Sequence, residues 1–256
     1  ATRPPRTREA IINIPTAISQ LVSLLNDFND AIRDEAILLL MAIVNGNTHI
    51  QSLVAFENIF EKLLSIISEE GGLRGSLVVN DCLSLISNIL NYNTANQTLF
   101  LESGSASQVG KLLQEILDPN EDFYWNDQRI LNLQTLFSIM EMLVEPGNKN
   151  TAIHQKILFD SGILMLTLQL SFYDKTPKPV RPLSLNCVSM IIKGNSALQE
   201  KFGQIDVPMF DPSMPSPNAK DVPLVSVTRL LLHWFMNINS VHFFDIRVSA
   251  SNCMKA

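Results

Sequence analysis

Apolar residues recur every three to four positions along most of this chain, and the pattern itself repeats. Three segments align without a gap: IRDEAILLLMAIVNGN at 32–47, VVNDCLSLISNILNYN at 78–93 and VRPLSLNCVSMIIKGN at 180–195. Apolar residues at this spacing predict one buried face of a helix. Each segment also carries a small residue four positions after its start, which lets a neighbouring helix approach closely. These small residues are Ala36, Cys82 and Ser184.

A second recurring motif follows the asparagine that closes each segment. The asparagines are Asn47, Asn93 and Asn195, and a glutamine stands four residues after each of them. A version that is one residue longer runs from Asn150 to Gln155. Because asparagine is a strong N-cap, we expect a short helix to begin after each one.

The interval between each short helix and the next long helix has room for one more helix. We expect these second helices to begin near Pro15, Ala55, Ser103, Ser161 and Pro223. Proline suits the first helical turn, whose amides have no partner within the helix. Three helices in a period of about 40–47 residues are typical of armadillo repeats, whereas two would indicate HEAT repeats.

The fold class that follows is all-α, a right-handed α-solenoid of about four to five armadillo repeats. We expect a fourth long helix over 130–144, with Thr135 at the small position, and a fifth from Ile246, with Ala250 there. No segment alternates with period two, so essentially no sheet is expected. We interpret 1–256 as a single array, a fragment truncated at both ends, where apolar faces should be exposed.

Two segments interrupt the period. Residues 118–128 form an acidic, aromatic insertion, and residues 203–223 contain five prolines. Proline removes a backbone donor and blocks helix formation, so 203–223 is expected to be an insertion loop. It is either a tolerated surface loop or a segment that docks a partner, and the sequence leaves both readings open.

Composition and charge exclude several classes of function. Hydrophobic residues make up 46% of the chain and charged residues 17%, which suits stacked helices buried on several sides. The longest uncharged apolar run, 36–44, is about half as long as a membrane span. The formal charge of −6 argues against nucleic-acid binding, and the densest basic stretch (Lys175, Lys178 and Arg181) is expected in a solvated loop. Three widely spaced cysteines and no visible signal peptide indicate a reducing cytosol.

Motifs for catalysis and cofactor binding are missing from the sequence. There is no G-x-S-x-G, P-loop or G-x-G-x-x-G, and the four histidines lack Cys or His partners at metal-ligand spacing. His49 and His154 are expected on the surface. We therefore expect a binding scaffold with no enzyme activity, cofactor, metal or small-molecule substrate. An enzyme with an unrecognised site remains an alternative.

The long third helices of such an array line a concave surface, and their outward residues bind partners. These positions come two and six residues after the small one: Leu38 and Ala42, Ser84 and Asn88, Phe137 and Glu141, Asn186 and Met190. The candidate partner-binding residues are Asn80, Ser84, Asn88, Phe137, Glu141 and Asn186. Armadillo adaptors for nuclear import carry Trp at the first position and Asn at the second. Only Asn88 matches, which disfavours that alternative.

Long stretches of the chain resemble one known family. VAFENIFEKLLSIISEEGGLRGSLVVNDCLSLISNILNYNTANQTLF (54–100) closely resembles the globular head of the general vesicular transport factors. These are golgin-type tethers of endoplasmic-reticulum-to-Golgi traffic. Further segments resemble the same head in its fungal form: 7–27, 32–45, 125–130, 144–148, 180–186 and 240–256.

The resemblance implies more than the periodicity does. It implies an armadillo head that acts in the cytoplasm, peripherally on Golgi and ER-derived vesicle membranes. The implied partners are a Rab-type small GTPase, Golgi tethering-complex subunits and vesicle fusion proteins. The family forms homodimers through a coiled-coil tail, and this chain contains no sustained heptad pattern. Neither a cofactor nor a catalytic residue is implied.

Overall fold

The computed structural model describes residues 10–11, 13–14, 16–118, 124–173, 175–209, 223–237 and 244–256. Nearly all secondary structure in these ranges is helical. The helices are α1 Ala17–Ser23, α2 Asp30–Val44, α3 Thr48–Ala55, α4 Ile59–Glu69, α5 Leu77–Leu90, α6 Thr94–Glu102, α7 Ser105–Ile116, α8 Asp127–Leu143, α9 Thr151–Asp160, α10 Ile163–Phe172, α11 Val180–Ile192, α12 Ser196–Gly203, α13 Val227–Asn237 and α14 Phe244–Lys255. Short 3₁₀ turns at Leu24–Asn26 and Gly72–Arg74 complete the helical part.

The helices follow the predicted order of a short first helix, a second helix and a long third helix. The first helices are α3, α6, α9 and α12, and the third helices are α2, α5, α8, α11 and α14. The second helices begin two to four residues after their predicted starts. The prediction of an all-α, armadillo-like solenoid is confirmed.

The described residues fall into two compact units. One lies within 1–112 and 126–139, and the other within 113–125 and 140–256. In the first unit α2 packs against α5 and α3 against α6. In the second, α11 packs against α10 and α14. The interpretation of 1–256 as a single array stays a prediction.

The asparagine caps form as predicted at three corners. The Oδ1 atoms of Asn47, Asn93 and Asn195 each accept a hydrogen bond from the backbone amide three residues later, at 3.0, 3.2 and 3.2 Å. Each bond satisfies one of the amides that a helix start leaves without a partner. The longer motif differs, because the side chain of Asn150 makes no capping bond.

The recurring glutamine connects one repeat to the next. In the first unit, Gln51 Nε2 donates to the backbone oxygen of Asn88, near the end of the next long helix, at 2.8 Å. The Nδ2 group of Asn93 donates in turn to Gln51 Oε1 at 3.4 Å. A capping asparagine thus binds the glutamine of the preceding repeat. We call this pairing the Asn–Gln ladder.

The ladder recurs in the second unit. Gln155 Nε2 donates to the Lys193 backbone oxygen at 2.8 Å, and Asn195 Nδ2 donates to Gln155 Oε1 at 3.0 Å. Gln155 is only 2% exposed. Since buried polar groups are costly when unpaired, the ladder fixes the register between neighbouring repeats.

Replacing Gln155 with alanine is expected to lower the free energy of unfolding by about 1–3 kcal/mol, because the Lys193 carbonyl and the Asn195 side-chain amide lose their partner. Urea unfolding followed by circular dichroism measures the change. The matched control is Gln114→Ala, at an exposed helical position, which should change stability by less than about 0.5 kcal/mol. Equal effects of the two substitutions would contradict the role assigned to the ladder.

The expectation of no sheet is wrong at one point. Strand β1 (Asp206–Pro208) pairs antiparallel with β2 (Leu224–Ser226), with Val207 opposite Val225. Three residues are too few for an alternating pattern to stand out in the sequence. The pair joins the two ends of the Pro-rich segment. Of the predicted loop 203–223, Gly203 belongs to α12, and 210–222 lie outside the described residues.

Candidate protein-binding surface

Three of the predicted partner-binding residues lie one helical turn apart on α5. Asn80, Ser84 and Asn88 are all partly exposed, as predicted. Asn80 Nδ2 donates to Thr135 Oγ1 at 2.9 Å, so its side chain is already engaged. The side chains of Ser84 and Asn88 make no hydrogen bond within the described part of the chain. We call Asn80, Ser84 and Asn88 the α5 row.

The prediction for Phe137 is wrong, because this side chain is only 2% exposed and cannot meet a partner. In α5 the residue at the small position, Cys82, and the residue after it, Leu83, are both buried. Their buried counterparts in α8 are Leu136 and Phe137. The partly exposed Thr135 therefore does not occupy the small position. The fourth long helix, α8, is shifted by one residue from the predicted alignment, so that Leu136 takes that position.

The displacement has a physical cause in Asn132, which is fully buried in the first half of α8. Its Nδ2 group donates to the backbone oxygens of Leu73 and Gly75, at 3.3 and 3.0 Å. These bonds fix the rotation of α8 about its axis. The outward positions of this helix consequently hold Ser138, which is exposed, and Met142, which is partly exposed.

Glu141 and Asn186, the two remaining predicted residues, line a common groove in the second unit. The groove has a volume of about 630 Å³ and lies between the last turn of α8, α11 and α14. Met190, a predicted outward residue, also lines it, as do Leu183, Lys193 and Asn252. The structure therefore brings together the predicted outward residues of this unit.

Two groove-lining residues carry hydrogen-bond acceptors that the described residues do not satisfy. Burial raises the pKa of the Glu141 carboxyl above its ordinary value, and no described cation pairs with it. The buried Oδ1 atom of Asn186 has no hydrogen-bond partner. Unpaired acceptors at low dielectric favour a ligand that donates hydrogen bonds.

Replacing Glu141 with glutamine is expected to stabilise the fold at neutral pH. The raised pKa means that the folded state holds the proton more tightly than the unfolded state does. Stability contributed by the wild-type carboxyl is therefore present at low pH and lost as pH rises through the folded pKa. The gain from Glu141→Gln should appear at pH 7.5 and vanish near pH 4.

Urea unfolding at the two pH values provides the measurement. Glu145→Gln, at an exposed position one turn further on, is the matched control and should show no such pH-dependent gain. An equal effect of Glu141→Gln at both pH values would contradict the assigned desolvation of this carboxyl.

The cysteine thiols are buried and are poorly placed to act as nucleophiles or metal ligands. Burial raises the pKa of the Cys82 and Cys253 thiols to about 12, so both stay protonated at neutral pH. In the described ranges no three His, Cys, Asp or Glu side chains are arranged to hold a metal. His49 is exposed as predicted, but His154 is fully buried, with Nδ1 2.8 Å from the Leu143 backbone oxygen.

A cluster of charged side chains around Arg33 is held by internal ion pairs. Arg33, which is 9% exposed, contacts Glu70 at 2.7 Å, Asp34 at 3.2 Å and Asp30 at 3.3 Å. These ion pairs tie α2 to the end of α4. The positive charge of Arg33 is therefore used within the fold, and its role is structural.

Comparison with known proteins places these features in a family. The family described as "Uso1 / p115 like vesicle tethering protein, head region" matches residues 195–256. The "Intracellular protein transport protein USO1" of Saccharomyces cerevisiae is 54% identical over 259 residues, covering 100% of this chain and 14% of the relative. The human "General vesicular transport factor p115" is 37% identical over 210 residues, covering 81% of this chain and 22% of the relative.

A solved structure shares the fold over the full length of the chain. The crystal structure of Uso1-1 superposes with a TM-score of 0.93 at 55% identity, covering 100% of this chain and 39% of that one. The chain spans only a small part of the curated relatives it matches. No helix among the described residues is long and apolar enough to cross a membrane. The repeats, the three-helix order and these matches together establish that the chain belongs to the Uso1/p115 family of vesicle tethering proteins, as part of the head region.

Proposed function

We propose that this chain is a protein-binding scaffold of a vesicle-tethering factor in ER-to-Golgi transport, and not an enzyme. The observation that carries the proposal is the set of unengaged polar side chains on the long helices. Ser84 and Asn88 lie on α5, and Glu141 and Asn186 line the groove of the second unit. Such groups form the polar part of a protein interface. The named functions of the relatives support this proposal.

The partners that we propose follow from the family. They are a Rab-type small GTPase, Golgi tethering-complex subunits and vesicle fusion proteins. The scaffold would act in the cytoplasm, peripherally on Golgi and ER-derived vesicle membranes. We propose that dimerisation uses a coiled coil of the full-length tether.

The groove supports a partner that donates hydrogen bonds. Glu141 offers a carboxylate acceptor on its wall, and Met190 and Leu183 offer apolar contact area. A backbone amide, a lysine or an arginine of a partner would satisfy this acceptor. Because unpaired buried groups cost free energy, such a donor gains affinity from pairing them.

The experiment is a titration of the purified chain with an early-secretory Rab-type GTPase, loaded with a non-hydrolysable GTP analogue or with GDP. We expect the GTP-bound form to bind at least tenfold more tightly, as an effector requires. Isothermal titration calorimetry gives both affinities. Equal affinity for the two forms, or no binding, would remove the GTPase from the proposed partners of this chain.

The second candidate is a cargo adaptor for basic peptides, as in nuclear import. The unpaired, partly buried carboxyl of Glu141 is the one observation that favours it. Titration of a basic nuclear-localisation peptide into the same chain tests the adaptor function. Micromolar binding that is lost in Glu141→Gln would support the adaptor, and we expect none.

A further inference from the structure

Two non-glycine residues in the described ranges adopt a positive φ: Asn58 at 54° and Tyr92 at 57°. Asn58 precedes α4, and the same corner in later repeats holds Gly104 and Gly162, with φ of 84° and 78°. Asparagine tolerates this left-handed conformation, so Asn58 needs no special explanation. Tyrosine does not tolerate it well, because its Cβ crowds the following carbonyl.

Tyr92 occupies a glycine position of a turn that occurs three times. The turns span 44–47, 90–93 and 192–195, and in each the last amide donates to the first carbonyl, at 3.1, 3.1 and 3.2 Å. The second residue of each turn is extended, and the third has positive φ, as in a type II turn. The third residues are Gly46, Tyr92 and Gly194, with φ of 67°, 57° and 69°.

Contacts with the described residues do not offset the strain at Tyr92. Its side chain is 88% exposed and makes no hydrogen bond or ring contact with the described residues. Glycine at this position would remove the strain without loss of any packing. A strained residue that persists without a structural benefit is a feature of binding and switch sites.

The position of Tyr92 links it to the α5 row. Asn88 lies four residues before Tyr92, in the last turn of α5, and Ser84 lies one turn before Asn88. Residues 75–110 contain neither lysine nor arginine. A membrane or nucleic-acid surface is bound through basic side chains, so an uncharged polar row ending in a tyrosine suits a protein surface instead.

We propose that Tyr92 is the aromatic anchor of the α5 row, inserted into an apolar pocket of a protein partner on the transport vesicle. The rim of that pocket would offer an acceptor to the tyrosine hydroxyl. Tyrosine is enriched among the residues that dominate interfaces, since it buries a large area at small entropic cost. The inference rests on the proposed function and assigns one contact of that binding site.

The test is flotation of the chain with purified ER-derived transport vesicles, compared for wild type and Tyr92→Gly. We expect Tyr92→Gly to raise the thermal midpoint by about 2–4 °C, because strain is relieved. The same substitution should lower the vesicle-bound fraction at least fivefold. The control is Phe28→Ala, which removes an aromatic side chain that is also fully exposed and should leave binding unchanged.

Protease-treated vesicles and protein-free liposomes separate the possible partners. We expect binding of the wild type to vanish with both. Tyr92-dependent binding to liposomes would overturn the inference in favour of a lipid surface. Equal flotation of wild type and Tyr92→Gly, or a lowered midpoint in the variant, would overturn the inference alone. Absence of wild-type flotation would overturn it together with the proposed function.

Discussion

Replacing Trp234 with alanine is expected to lower the free energy of unfolding of the second unit by about 3–5 kcal/mol. Trp234 is fully buried and is the largest such side chain among the described residues. Its ring meets that of Phe172 edge to face, with the centroids 5.2 Å apart, and so joins α13 to α10. Truncation removes this aromatic contact and leaves a large cavity that a packed solenoid cannot fill.

Urea unfolding measures this loss, followed by far-UV circular dichroism because the variant lacks the fluorescence of Trp234. Phe235→Ala is the matched control, since it removes an aromatic ring from the next position of α13. Phe235 is 41% exposed, so its removal should cost less than about 1 kcal/mol. Similar losses for Trp234→Ala and Phe235→Ala would show that the core of this unit is not where we place it.

Replacing Arg181 with methionine is expected to cost at least about 3 kcal/mol. The guanidinium is 6% exposed and donates to three backbone oxygens, of Thr176 at 3.1 Å, Ser171 at 3.2 Å and Tyr173 at 3.0 Å. It thereby holds the connection between α10 and α11. Methionine has a similar length but no donor, and it would leave buried carbonyls unpaired.

The thermal midpoint and the urea midpoint report the loss. The control is Arg229→Met, at an exposed position of α13. It removes the same charge and should be nearly neutral. A neutral Arg181→Met would instead support the expectation of a solvated basic loop at 175–181. That expectation is contradicted for Arg181, whose guanidinium lies inside the fold.

The sequence predicted the helices and caps well because local rules decide them. Apolar spacing located the long helices, and the capping bonds of Asn47, Asn93 and Asn195 depend on residues only three positions away. The small residues Ala36 and Cys82 are buried as expected, at 3% and 0% exposure.

Long-range contacts explain what the sequence did not predict. The rotation of α8 depends on bonds from Asn132 to carbonyls 57 and 59 residues away, so repeat alignment alone does not predict that Phe137 is buried. The glutamines of the Asn–Gln ladder were recognised as recurrent, but their partner across 40 residues was not. The short helix α9 has too few apolar positions to define its buried face from the sequence, so the burial of His154 is not predicted.

One further signal was present in the sequence. The alignment of the three corner turns sets Tyr92 opposite Gly46 and Gly194. A bulky residue at a glycine position indicates an unusual backbone, and the structure gives it a φ of 57°. Comparison of repeats within one chain therefore identifies a strained position without any homologue.

The central claim is that the α5 row binds a protein partner, and one measurement tests it most directly. The chain carrying Ser84→Arg and Asn88→Arg is compared with a control carrying Ser107→Arg and Gln114→Arg on the exposed side of α7. The two variants add the same charge and should both keep the wild-type thermal midpoint. We expect the α5 variant to float with ER-derived vesicles at least tenfold less than wild type, and the α7 variant to float as wild type does. Equal flotation of both variants would contradict the claim.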